Sequence, residues 1–195
     1  DKSYSLTNNV DDYGIIGLMY HRFEENKYPS TNIKVSDFKS QLNLIKEAGI
    51  IFINPVDFED SLKNKKSDKK ILLTIDDGFL SFYENAWPIL KSKKIPFILF
   101  VSTREVGKYG YMSWDQIKEL DKEDFVHIGN HSHTHEYLVD ENPDKILLDL
   151  KKSISIFEKN LGYNSHFFSY PFGEYSLKFK EIVRELNFVF AFGQH

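Results

Sequence analysis

The stretch Ile71-Leu72-Leu73-Thr74-Ile75-Asp76-Asp77-Gly78 constrains this chain more than any other. Five apolar or β-branched residues in succession predict a strand buried on both faces, the kind found inside parallel sheets. Two adjacent carboxylates follow, then a glycine that permits a sharp turn. A buried strand has no packing use for two acids at its end, and each is costly to desolvate without a partner or a task. In parallel α/β folds the carboxyl ends of strands are where ligands and catalytic groups gather. Asp-Asp-Gly is also ordinary turn chemistry. The stretch by itself leaves open whether Asp76 and Asp77 serve a site or a solvated turn.

The rest of the chain reads as alternating strands and helices. Gly14–Tyr20 predicts a first strand ending at His21, with a Pro29-containing loop after it. Ser36 is a candidate cap for a helix with Phe38, Leu42 and Ile45 on one face, stopped at Ala48-Gly49. Ile50–Ile53 predicts a short strand and Pro55–Leu62 a short helix. After the central strand, Phe79–Lys91 reads as a helix that Pro88 should break or kink. Pro96–Val101 predicts a buried strand, and Ser113-Trp114-Asp115-Gln116 a capping box opening a helix to Leu120. Phe125–Ile128 is a strand with Gly129 at its exit, and Pro143–Leu161 a long helix with Ile146, Leu150, Ile154 and Phe157 on one face, ended by Gly162. A strand at 166–169, a helix at 176–186 and a strand at 188–192 complete the chain. This order implies a mostly parallel sheet, open or closed into a barrel.

Its 195 residues suit one domain with a sizeable core; residues 1–13 lack periodicity and read as an arm. The chain contains no cysteine, which excludes thiolate catalysis, thiolate metal sites and disulfides, and suits an exported bacterial protein. It opens at Asp1, so a leader removed from the N-terminus is compatible with the sequence. No run is long and apolar enough to span a membrane. A net charge of −4 with both signs interspersed gives no nucleic-acid footprint; the basic run at 63–70 reads as a solvated loop. The aromatic fraction, 15%, fits a well-filled core and also a cleft that stacks on sugar rings. Nothing in the sequence speaks to oligomeric state.

Polar residues recur where strands end. His21 follows the first strand, Asp76 and Asp77 the central one, and His131, His133 and His135 the strand ending near Gly129. Tyr170-Pro171-Phe172-Gly173 follows the strand at 166–169. In a parallel sheet or barrel these ends share one rim. If His131–His135 forms a helical turn, the first and last rings, at i and i+4, face one way and His133 faces elsewhere. Two imidazoles and a carboxylate make a facial set for a divalent cation with positions left open for hydrolysis; the alternative is a solvated polar loop. His127 and His166 read as structural.

These residues carry a resemblance. Thr74-Ile75-Asp76-Asp77-Gly78 resembles the first motif of the NodB-homology polysaccharide deacetylases, carbohydrate esterase family 4, and His131-Ser132-x-x-His135 resembles their second. Ser169-Tyr170-Pro171-Phe172-Gly173 is similar to the third. Met19-Tyr20-His21-Arg22-Phe23 and Met112-Ser113-Trp114 are similar to the branch containing poly-N-acetylglucosamine deacetylases. The resemblance runs from about residue 14 to the end and implies a deformed (β/α) barrel of about seven strands forming one domain over 1–195. Carried over by position, it implies that Asp77, His131 and His135 hold a divalent metal, usually Zn2+, with Co2+ or Ni2+ as alternatives. It makes Asp76 the general base and places an oxyanion donor near Phe172, so that Tyr170, Pro171 and Phe172 border the substrate. The activity implied is removal of N-acetyl groups from a glycan, with release of acetate.

Two departures qualify this reading. Many members carry an arginine two residues before the third-motif proline to orient the base; here Ser169 stands there. No fourth or fifth motif is identifiable, and the fifth brings a histidine acid. The acid is then expected from His21, which should line the site, from His195, or from residues beyond the C-terminal end. A related amidohydrolase acting on a small cyclic amide, or a carbohydrate-binding domain without catalysis, are the other readings the sequence allows. Retention of Asp76 argues against the last, because a pure binder needs no free base.

Overall fold

The computed structural model describes residues 14–64 and 69–194. The expected N-terminal arm, the middle of the basic run and His195 lie outside them. Strand β1 (Ile15–Tyr20) pairs in parallel along the whole of β5 (Lys70–Ile75), which is buried from Ile71 onward. The other edge of β5 is shared: β4 (Ile51–Phe52) pairs with its start and β6 (Phe97–Val101) with its end. The sheet continues through β7 (Val126–Asn130), β8 (Phe167–Ser169) and β9 (Phe190–Phe192), every ladder parallel. Seven strands thus form a curved, mostly parallel sheet, a half-barrel that fits the deformed (β/α) barrel expected. Two further short strands, β2 (Arg22–Phe23) and β3 (Asn32–Ile33), pair in a separate parallel ladder across the loop that holds Pro29.

Strand alternation divides the side chains between two faces. Leu73, Ile75, Phe97, Leu99, Val101, Val126 and Ile128 face out and are covered by α1 (Val35–Glu47), α3 (Leu80–Asn85), α4 (Trp87–Lys93), α5 (Trp114–Leu120) and α6 (Pro143–Leu161). Ile146 and Leu150 of α6 pack with Phe168 and with Phe179, Ile182 and Val183 of α7 (Leu177–Glu185). Each such fully buried side chain contributes about 1.5–3 kcal/mol. On the inner face Leu72, Ile98, Phe100 and Phe167 form a smaller cluster, with Phe58 of α2 (Phe58–Lys63) and Phe190 and Phe192 packed on it. Gly129 belongs to this face, and a Cβ there would run into the Phe100 ring.

The helix boundaries follow local chemistry closely in places. Asn142 caps α6 by accepting from the Asp144 N–H, Pro143 occupies the first turn, and Gly162 ends the helix at φ 84°. Ser113 and Gln116 form the expected capping box of α5. Three expectations are corrected. Ser36 does not cap α1: the helix already begins at Val35, whose N–H is taken by the Glu24 carboxylate, so the cap comes from a distant loop. The predicted helix at 79–91 is two helices separated at Ala86, with Pro88 in the first turn of α4, where its missing N–H costs nothing. The segment at 55–62 is likewise a 3-10 turn (Pro55–Asp57) followed by α2.

Candidate metal and catalytic site

Register brings the strand ends to one rim. Tyr20 pairs with Ile75, Val101 with Asn130 and Ser169 with Phe192. The residues that follow those strands therefore open into a common cavity of about 920 Å³. Its lining includes His21, Asp76, Asp77, His131, His135 and Phe172. The inward alternation of β5 continues through Thr74 to Asp76, while Asp77 turns at φ 72° and Gly78 at φ 70°. Adjacent acids in a regular strand would point to opposite faces; the left-handed turn lets both reach the cavity.

One ligand atom each from Asp77, His131 and His135 lies within 4.8 Å of the others. His135 Nε2 is 3.0 Å and His131 Nε2 3.5 Å from Asp77 Oδ1. His131 Nδ1 donates to the Ser169 carbonyl at 2.7 Å, which leaves Nε2 as the nitrogen facing the Asp77 carboxylate, donating to it when protonated and available to a metal when neutral. The donor set of two imidazoles and one carboxylate fits a divalent cation such as Zn2+.

The expected helical turn at 131–135 is not what brings the rings together. The segment is an irregular loop with Ser132 at φ 66° and His135 at φ 53°. Its shape is held by buried polar contacts. Asp149, on the buried face of α6, accepts from the N–H groups of His133 (2.7 Å) and Thr134 (3.1 Å) and from the Thr134 hydroxyl (2.6 Å). Ser153, one turn further, donates to Asn130 Oδ1 and the Ser132 carbonyl. The Ser102 hydroxyl donates to the His131 carbonyl at 2.7 Å. His133 points away, as expected, and its Nδ1 meets Thr103 Oγ1 at 2.8 Å. Sequence reasoning missed Asp149 and Ser153. The signal was present: buried Ile146, Asp149, Leu150, Ser153 and Phe157 share one face of α6, and polar side chains on such a face need partners.

Asp76 is almost wholly buried. Its Oδ2 accepts from Ser169 Oγ at 3.2 Å and lies 4.0 Å from His131 Nε2, whereas Oδ1 has no hydrogen-bond partner among the described residues. Burial pushes its carboxyl above the usual carboxylate range, against the opposing pull of His131 and His21. Asp77 behaves oppositely: burial would raise it, but hydrogen bonds from His131 and His135 and their charge outweigh that and hold it far below the usual range. His131 is raised, because its contacts with Asp77 and Asp76 overcome the desolvation that favours neutral imidazole. One acid of the pair is thus built to stay ionised and the other is left free to exchange a proton. At the position where the resemblance leads one to expect an arginine, the Ser169 hydroxyl contacts this second acid.

The third-motif residues separate. Tyr170 borders the cavity, but its ring packs between Phe168, Tyr175 and Phe179. Pro171 is buried, and Phe172, at φ 60°, presents an exposed ring 5.0 Å from His135. Away from the cavity, His127 Nε2 meets Asn54 Oδ1 at 3.1 Å, and His166 takes part in the sheet through its carbonyl.

The chain matches the family model described as polysaccharide deacetylase over residues 63–191, well over half its length. It belongs to that family. A poly-β-1,6-N-acetyl-D-glucosamine N-deacetylase of Staphylococcus aureus is 30% identical over 156 residues, covering 73% of this chain and 54% of the relative. The chain therefore spans about half the length of the curated relatives it matches. Among solved structures, IcaB from Ammonifex degensii superposes with a TM-score of 0.83 at 29% identity, covering 90% of this chain and 82% of that one. The Streptococcus pyogenes deacetylase PplD in complex with acetate gives 0.80 at 27% identity, covering 90% and 81%.

Proposed function

We propose that this polysaccharide deacetylase domain hydrolyses N-acetyl groups of an N-acetylated glycan, releasing acetate and leaving a free amine on the sugar. The single observation that carries this is the pairing of two unlike carboxylates. Asp77 lies close to two imidazoles, while buried Asp76 keeps one oxygen without a partner among the described residues beside them. Asp77, His131 and His135 would hold the cation, with Zn2+ the best match to the donor set. When bound, it supplies a Lewis acid that polarises the amide carbonyl and acidifies water to near neutrality.

The chain's own groups supply the rest. Asp76 takes the proton of the attacking water, oriented by the Ser169 hydroxyl. Water oxygen bonds to the carbonyl carbon and the negative charge collects on the former carbonyl oxygen, near the Phe172 N–H. The C–N bond then breaks, and the leaving nitrogen takes a proton from His21, which borders the same cavity and is close enough to Asp76 to influence its charge. The products are acetate and an amino sugar. A glycan binder without turnover has no use for the buried carboxylate of Asp76.

The S. aureus relative acts on a polymer of β-1,6-linked N-acetylglucosamine by its name, and we take that polymer as the first substrate to test. A polymer of that kind supports reading the protein as an exported one; among the described residues no helix is long and apolar enough to cross a membrane. The test is acetate release from poly-N-acetylglucosamine and from chitooligosaccharides, with and without a chelator. Release that the chelator abolishes and zinc restores is expected; no release from any N-acetylated glycan by the zinc-loaded protein overturns the proposal.

A further inference from the structure

Beside the metal and catalytic groups lies a small constellation of side chains to which the reaction above assigns no part. Phe172 is 54% exposed and Tyr137 44% exposed, their rings 5.9 Å apart and tilted by 58°. Phe172 also contacts His135, so its ring links that histidine to Tyr137, which stands just outside the cavity lining. Large rings left in water beside each other mark a contact surface. The backbone is distorted to hold one of them there. Phe172 sits at φ 60°, a conformation costly for a bulky residue, with Gly173 at φ 73° packed against the Gln194 backbone. At the corner of the two rings, the Tyr137 hydroxyl donates to Glu174 Oε2 and fixes that carboxylate. Among the described residues no cation pairs with Glu174, whereas Glu25, Glu105 and Glu136 each pair with an arginine.

An oriented, uncompensated carboxylate beside two exposed aromatic faces is a receptor for a ring that carries both apolar faces and a positive charge. We propose that Phe172, Tyr137 and Glu174 form a subsite for a protonated amino sugar, a unit of the same glycan already deacetylated and adjoining the unit at the reaction centre. This rests on the deacetylase reading above and deepens it. Each turnover creates such a unit, so the domain favours glycan that is partly deacetylated and extends free-amine runs from existing ones. The sugar faces stack on the rings, and the ammonium meets the free edge of the Glu174 carboxylate.

The experiment compares kcat/KM for acetate release by the zinc-loaded protein on two β-1,6-linked N-acetylglucosamine pentasaccharides, one fully acetylated and one carrying a single free amine. The amine-bearing substrate is expected to be better by about fivefold at low salt. That ratio should fall towards one in Glu174→Gln and at high ionic strength. Equal rates on both substrates in the wild type, or a ratio untouched by Glu174→Gln, overturn the subsite and leave the deacetylase reading standing. No acetate from either substrate counts against the β-1,6-linked polymer as the substrate of the deacetylase reading, not against the subsite. Calorimetric binding of a glucosamine oligosaccharide to the Asp76→Asn protein then still decides the subsite. An affinity about fivefold weaker on adding Glu174→Gln supports it, and an unchanged affinity overturns it.

Discussion

Asp76 and Asp77 are neighbours in sequence with opposite electrostatic fates, and the cause is which imidazoles each one meets. Asp77 receives two, at 3.0 and 3.5 Å, and is held ionised. Asp76 receives one hydroxyl and otherwise faces burial. Asp77→Ala is therefore expected to abolish retention of zinc through gel filtration, read by elemental analysis. Asp76→Asn is expected to keep the metal and lower turnover by about a hundredfold or more; full activity in that variant would remove Asp76 from its role. Ser169 tests the same carboxylate from another side. Ser169→Ala preserves the backbone carbonyl that orients His131 but leaves Asp76 without a side-chain donor. Turnover should drop about tenfold, the cost of losing a hydrogen bond to a charged group. The acidic limb of the pH–rate profile should also move to higher pH, because the hydroxyl favours the ionised form. Zinc affinity should hold, and Ser169→Thr should restore the rate.

At the scale of elements, α6 does more than cover the sheet. Its core-facing residues were legible from their spacing, and its ends from Pro143 and Gly162. Its role in the site was not, because a carboxylate on a buried helix face does not announce which backbone it will hold. Asp149 and Ser153 keep the loop from Asn130 to Thr134 in a shape with two left-handed residues close by. That explains why the i, i+4 pattern of His131 and His135 pointed to convergence for the wrong reason. The rings meet through a braced loop, not a helical turn. Asp149→Asn keeps an acceptor for the His133 N–H but offers the Thr134 N–H a donor in place of the second. Zinc binding, measured by competition with a chromophoric chelator, should weaken about tenfold. The metal-free protein should lose about 1–3 kcal/mol in guanidinium unfolding. An unchanged zinc affinity would reduce Asp149 to a packing residue.

For the molecule as a whole, the metal-free site links stability to pH in a definite direction. His131 is raised in the folded state, so its contribution is fully present below the ordinary imidazole value of about 6.5 and is lost as pH rises through the raised value. Asp77 is lowered, so its contribution is present above about 3.9 and is lost as pH falls through the depressed value. Chelator-treated protein should therefore gain most over His131→Gln in the interval between those ranges. The gap, read from guanidinium midpoints, should narrow towards alkaline pH; a gap that widens there would contradict the assignment. What the sequence determined alone was the alternation of strand and helix, the buried central strand, and the acid and histidine pairs at strand ends, since each is written in local periodicity and composition. What only the tertiary structure decided was the curvature that turns seven parallel strands into one mouth, the Ser169 hydroxyl standing against Asp76, and the bracing of the histidine loop by α6. These depend on contacts between residues far apart in the chain, whose geometry is set by packing and burial and not by any local pattern.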